Sequence, residues 1–300
     1  MLEFKKLEIG DIQLVKKYFN YSKSKVCDNT VGGAFIWREL FKTYYAIADN
    51  SLVFRVNFLD KGSCFTFPLA ETEKETEECI KLIKEYAKIT GMPFRFCQVP
   101  ESGVDILSNL YDIEKENASS WGDFLYNADD IINLQGRKYS KIRNHIHHFS
   151  NEFPNYKYES IDNSNIEYIK KFLDKYEKNT VKDSPTFKED IEKTREILDN
   201  FDLYGMTGGC IMINDNQVIA FDIGEVINDV LFVHIEKADV EYNGSFQMIV
   251  WEYAKHNAKS GMYINREDAA GDEGLETAKS RWFPCNILNK YFVTIKNEKA

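Results

Sequence analysis

Glu85-Tyr86-Ala87-Lys88 recurs word for word as Glu252-Tyr253-Ala254-Lys255, and each copy is soon followed by Gly-Met, at Gly91-Met92 and Gly261-Met262. Further out, Ile47-Ala48-Asp49-Asn50-Ser51-Leu52 matches Ile213-Asn214-Asp215-Asn216-Gln217-Val218. Nearer the start of each half, Val15-Lys16-Lys17-Tyr18-Phe19 matches Ile169-Lys170-Lys171-Phe172-Leu173. Four anchors in one order, with slowly drifting offsets, define a repeat as long as a whole domain. Solenoid repeats are far shorter, roughly 20–50 residues. The chain therefore reads as two similar domains in tandem, 1–133 and 134–300, the second opening on a basic helix at 134–149.

Bulk properties agree with two folded domains. The 300 residues are 43% hydrophobic and 14% aromatic, enough for two cores. A net charge of −10 disfavours a protein coated in nucleic acid but leaves room for one local basic site. No apolar run is long enough to span a membrane, and Met1-Leu2-Glu3-Phe4-Lys5-Lys6 does not read as a signal peptide. Cysteines 27, 64, 79, 97, 210 and 285 form no C-x-x-C pair. They are expected to be buried small hydrophobes in a reducing cytosol, with no zinc site and no disulfide framework. The expected location is the cytoplasm, with peripheral membrane attachment left open.

Each half reads as strand, helix, three strands, helix, strand. Strand-like pieces at 4–9 and 156–161 precede amphipathic helices, and Ile166, Ile169, Phe172, Leu173 and Tyr176 trace one helical stripe. Asp-Asn turns at 49–50 and 215–216 suit hairpins. Helices at 75–89 and 244–258 then lead to strands at 94–99 and 262–266, which makes the class α+β or mixed α/β. Residues 101–128 show no strong pattern.

This order resembles the GNAT acyltransferase fold. Two such domains in tandem occur in Fem-type aminoacyl-tRNA-dependent transferases and in the soluble C-terminal part of phosphatidylglycerol lysyltransferases. Gly136-Arg137-Lys138-Tyr139-Ser140-Lys141-Ile142-Arg143 and Asn265-Arg266-Glu267-Asp268, with Gly271, Gly274-Leu275, Ala278-Lys279 and Pro284, resemble the DUF2156 family grouped with that lysyltransferase domain. The chain departs from the family pattern at Ala269, where a second Asp is usual, at Glu276, where an Arg is usual, and at Arg281-Trp282, which replace a Ser-Tyr-like pair.

Two constellations could carry chemistry. Arg137, Lys138, Lys141 and Arg143, followed by His145, His147 and His148, form the one concentrated basic patch of an acidic chain. On a helix, 137, 141 and 148 share a face free to meet a phosphate, while Ile142 and Phe149 pack inward. The bland reading is a solvated charged face. Asn265, Arg266, Glu267 and Asp268 leave a strand end toward a glycine loop and a short helix carrying Lys279, Arg281 and Trp282. Glu267 or Asp268 could serve as general base. Lys279 or Arg266 could hold an anion, and Trp282 could line a pocket. The bland reading is an ion-pair network pinning the loop.

A third motif is informative by its defects. The loop that grips coenzyme A pyrophosphate in GNAT enzymes corresponds here to Glu241-Tyr242-Asn243-Gly244-Ser245-Phe246. Gly244 and Ser245 remain as donors at a helix start, but Glu241 repels phosphate and Phe246 crowds it. Glu71, Glu73, Glu75, Glu77 and Glu78 surround the equivalent start in the first half, so that domain is expected to lack a donor site. The resemblance implies acyl transfer in the second domain, from aminoacyl-tRNA (bound by its acceptor end) or acyl-coenzyme A, with no tightly bound cofactor or metal. The acceptor would be an amine or hydroxyl of a small molecule or lipid headgroup. A non-catalytic binding protein of the same fold is the alternative.

Overall fold

The computed structural model describes residues 2–48, 50–180, 184–214 and 216–299, and the repeated words fall on matching elements within it. The Val15 word lies in helix Ile12–Phe19 and its copy in helix Ile166–Asn179. The two Glu-Tyr-Ala-Lys words lie near the ends of helices Glu73–Thr90 and Ser245–Asn257. Gly91 and Gly261 both have positive φ, 71° and 82°, which a residue lacking Cβ adopts freely. Asp49 and Asp215 lie outside the described residues.

The strands of the first half are β1 (Lys5–Lys6), β2 (Tyr44–Ala48), β3 (Ser51–Phe58), β4 (Gly62–Thr66), β5 (Arg95–Pro100), β6 (Tyr111–Asn117) and β7 (Asp123–Asn127). Those of the second are β8 (Lys157–Ser160), β9 (Thr207–Ile213), β10 (Gln217–Ile227), β11 (Val230–Ala238), β12 (Tyr263–Asn265), β13 (Asn286–Leu288) and β14 (Lys290–Glu298). One sheet runs β1-β2-β3-β4-β5-β14-β6 and the other β8-β9-β10-β11-β12-β7-β13. In both, an antiparallel meander of four strands leads to a parallel pair, β4 with β5 and β11 with β12. These are two GNAT-like units of mixed α/β class with the same strand order.

The sixth strand of each sheet is exchanged along the chain. β14 pairs with both β5 and β6, and β7 pairs with β12. One compact unit therefore comprises the chain up to Asp123, Asp268–Asp272 and the chain from Ile287; the other comprises Phe124–Glu267 and Glu273–Asn286. This differs from a single cut at 133/134. Ladder hydrogen bonds carry residues 124–133 into the second unit and the last strand into the first.

In the first unit the core is built around Val53, Phe65, Ile80, Ile83, Phe96, Val99, Leu107 and Val293. The acids at the start of helix Glu73–Thr90 serve as caps. Thr72 accepts from the Glu75 N–H, and the Glu75 carboxylate accepts from the Thr72 N–H at 2.9 Å. The unpatterned stretch after residue 100 holds helix Glu101–Leu110, β6 and β7. Helix Pro185–Asp199 of the second unit stands where the first half has the much shorter helix Val31–Ile36, and Ser184 caps it by accepting from the Phe187 N–H at 3.1 Å. Five cysteines are buried as expected, but Cys285 is exposed. It follows a turn that ends the helix before it.

Candidate functional site

The basic segment is not one straight helix. Leu134 ends the short helix Ala128–Asn133 in a left-handed conformation, Gly136 has a φ of 85°, and Arg137–Tyr139 form a single tight turn. Only then does helix Ser140–Glu152 begin, burying Ile142, Ile146 and Phe149. Arg143 donates to the carbonyls of Leu134 and Gly136, the latter at 2.8 Å, so it closes the preceding helix end. Lys138 lies 3.7 Å from Asp130 and over the rings of Tyr139 and Phe283. His148 lies 3.5 Å from Glu152. Arg137 and Lys141 are exposed and make no ion pair among the described residues. A ring contact of Tyr139 with Phe283, 5.3 Å between centroids, brings this segment to the turn after helix Glu273–Ser280.

The Asn265–Asp268 run divides. Asn265 is buried and accepts from the Glu267 N–H at 2.7 Å. Arg266 is buried beside the rings of Tyr126, Phe246 and Trp282, and forks onto Glu236 at 2.7 and 2.9 Å. Lys279, also buried, donates to the Arg266 carbonyl. Trp282 is only 2% exposed, so it packs rather than lining an open pocket. Arg281 is exposed. Arg266, Lys279 and Trp282 thus behave as a pinned loop, the blander of the two expectations.

Glu267 sits two residues past the end of β12 with a φ of 58° and a side chain 16% exposed. Its carboxylate lies 2.7 Å from Nδ1 of His234, whose Nε2 lies 3.0 Å from Glu225. The imidazole is fully buried. Burial opposes its charge, but the hydrogen bonds with Glu225 and Glu267 outweigh burial and raise it to about 9. At neutral pH the imidazole carries both its protons and stands between the two carboxyl groups. Sequence reading missed His234 and Glu225. The register of β11 against β10 steps from Ile235 to Val233 and skips His234. That bulge breaks the alternation by which a strand histidine would be assigned a face.

Asp268 turns into the first unit. There Lys290 is completely buried, 2.7 Å from Asp28 and from Asp123, 3.6 Å from Asp268 and 3.5 Å from the Cys27 thiol. Burial opposes the ammonium charge, and the Asp123 and Asp28 carboxylates hold it on. Burial pushes Asp28 up to about 6 against the pull of Lys290. Cys27, Asp123 and Asp268 offer ligand atoms within 4.8 Å of one another, but the lysine ammonium stands where a metal ion would.

In the second unit, Asp222 faces Glu236 across β10 and β11. It is 1% exposed and neither oxygen makes a hydrogen bond among the described residues. Burial, helped by Glu236 and opposed by Arg266, pushes it well above the usual carboxylate range. At the start of helix Ser245–Asn257, Ser245 is buried and donates to the Asp239 carbonyl at 2.8 Å. A Cβ on Gly244 would meet the His145 carbonyl at 2.5 Å. The backbone of helix Ser140–Glu152 therefore lies against this helix start.

A family model described as "Phosphatidylglycerol lysyltransferase, C-terminal" matches residues 19–294. The chain belongs to this family. A solved structure of a conserved protein of unknown function from Bacteroides thetaiotaomicron is 26% identical, covers 99% of this chain and 100% of its own, and superposes with a TM-score of 0.86. L-PGS from Bacillus licheniformis is 12% identical over 85% of this chain and 84% of its own, with a TM-score of 0.63, a likeness of fold. An uncharacterised protein of Mycoplasmoides gallisepticum is 22% identical over 65% of this chain, and the match spans 63% of its length. No helix among the described residues is long and apolar enough to cross a membrane.

Within this lysyltransferase family motif, the departures from the common pattern have a structural setting. Ala269 is buried directly after Asp268. Glu276 and Arg281 are exposed on helix Glu273–Ser280 and the turn after it.

Proposed function

We propose that this protein is an aminoacyltransferase that passes an aminoacyl group from the ester of a charged tRNA to an amine or hydroxyl acceptor. Family membership supports the class of reaction. The observation that carries the choice of donor is the covered start of helix Ser245–Asn257. The His145 carbonyl against Gly244, and the bond of Ser245 to Asp239, leave less room at this helix start for a coenzyme A pyrophosphate. Exposed Arg137, Lys141 and Arg281 suit the phosphates of an RNA acceptor end instead.

In this reading Glu267 takes the proton from the attacking amine or hydroxyl as the new bond to the ester carbon forms. The tetrahedral intermediate then expels the tRNA ribose oxygen, which is protonated as it leaves. His234 fixes the Glu267 carboxylate, and Glu225 holds the other side of the imidazole. Proximity supplies much of the rest.

The test is a transfer assay with a pool of charged tRNA, offering free amines and vesicles containing phosphatidylglycerol as acceptors. Loss of the ester matched by a new aminoacyl product supports the reading, and the product names the acceptor. Turnover with acetyl-coenzyme A but not with charged tRNA would overturn it. Arg137→Ala and Lys141→Ala should each weaken tRNA binding and lower its salt slope by about one.

A further inference from the structure

We infer that Phe283 is a stacking platform for an unpaired base of a single-stranded RNA end, with Arg281, Arg137 and Lys141 as phosphate contacts beside it. The inference rests on the tRNA-donor reading and adds to it the part of the RNA that is held and the ring that holds it.

The neighbouring aromatics Trp282 and Phe283 have opposite fates. Trp282 is buried against Arg266, whereas Phe283 is 40% exposed. A hydrogen-bonded turn produces this difference: Trp282 N–H donates to Lys279 and Phe283 N–H to Ser280, and Phe283 then takes a φ of 58°. That backbone conformation is disfavoured for a residue with a side chain. The exposed ring is also braced. The Tyr139 and Phe283 rings stand at 87° to each other, and the Lys138 ammonium lies over the Phe283 ring, 5.7 Å from its centre. Asp130 in turn holds Lys138, leaving Arg137, Lys141 and Arg281 as the exposed cations of this surface without an ion pair among the described residues. In a chain of net charge −10 such a local excess favours a polyanion.

A partly exposed aromatic ring in a segment that carries exposed cations matches how proteins hold unpaired bases, the ring taking the base face and the cations the backbone. A membrane surface would instead favour a continuous apolar helix face. The exposed large hydrophobic side chains of this unit, Val226, Val240, Leu275 and Phe283, stand on separate segments among the described residues.

The experiment uses the full chain and uncharged RNA, so that binding is read independently of any transfer. Affinity is measured for a short single-stranded oligonucleotide with the 3′-terminal sequence of a tRNA, for a blunt RNA duplex, and for phosphatidylglycerol vesicles. Phe283→Ala and Phe283→Leu are expected to weaken oligonucleotide binding roughly five- to hundred-fold, with the salt slope unchanged and Phe283→Tyr restoring it. Arg281→Ala should flatten the salt slope by about one. Phe283→Leu keeps the apolar bulk against Tyr139, so a loss in that variant reports stacking rather than misfolding. Unchanged oligonucleotide affinity in Phe283→Leu, equal binding of the duplex, or a loss confined to the vesicles would each overturn the assignment. If Phe283→Leu loses oligonucleotide binding yet charged tRNA supports no transfer by the unmodified protein, the platform stands and the catalytic reading fails.

Discussion

Two buried cations, one in each unit, are held by carboxylates, and consecutive residues of one motif are divided between them. Lys290 is enclosed by Asp28, Asp123 and Asp268 in the first unit. His234 is clasped by Glu225 and Glu267 in the second. The lysine cluster is tied up from several elements at once. Asp123 also accepts from the Cys27 N–H at 2.6 Å, Gln98 donates to Asp28, and Asp268 accepts from the Ala270 N–H. An ammonium is charged at any physiological pH, so this arrangement stores charge without moving it. An imidazole can exchange its proton, and Glu267 lies at the edge of its cluster. The difference separates a charge that holds strands together from a charge placed where chemistry is possible.

The comparison breaks most visibly at the two carboxylates. Glu267→Gln should lower transfer roughly 10²- to 10⁴-fold with folding intact, as loss of a general base does. Asp268→Asn should instead spare turnover and lower the melting temperature. The opposite pattern in an assay paired with thermal melts would exchange the roles. Lys290→Met leaves Asp123 and Asp28 buried without a counter-charge and should cost about 3–5 kcal/mol in urea unfolding. A loss below 1 kcal/mol would mean that the cluster is hydrated rather than sealed.

The clusters should also respond in different pH windows. His234 is raised in the fold, so its contribution to stability is complete below its ordinary value of 6.5 and is lost as pH rises through about 9. Asp28 is raised too. Its contribution is complete below 3.8 and is lost as pH rises through about 6. Melting curves across this range should therefore lose their alkaline slope in His234→Gln and their acidic slope in Asp28→Asn. A single shared window would show that one cluster controls both. The smallest effect is expected at Asp222, whose burial disfavours its charged form. Asp222→Asn, close to an isostere of the acid, should change stability at pH 7 by less than about 1 kcal/mol.

These contrasts also mark what the sequence could tell. The repeat was legible because a recurring word in a helix and a glycine after it are local signals; Glu85-Tyr86-Ala87-Lys88 with its copy and the pair Gly91 and Gly261 carry them. The exchange of β7 and β14 was not, because strand pairing over such distances leaves no local trace. For the same reason Glu267 and Asp268 looked like one constellation, although they enter two. The exposed cations Arg137, Lys141 and Arg281 were readable from charge contrast, but the burial of Arg266 and Trp282 depends on Glu236 and Tyr126 from other strands. His234 lay behind a bulge, where the period of two fails.

The exchanged strand also orders events in time. A ribosome releases Asp28 and Asp123 long before Lys290, yet Lys290 is the counter-charge they need and β14 is the strand that joins β5 to β6. The unit whose residues emerge first is thus the one whose sheet closes last. Until residues 290–298 arrive its sheet lacks the strand between β5 and β6, so a stall just before Lys290 would leave the early sheet open.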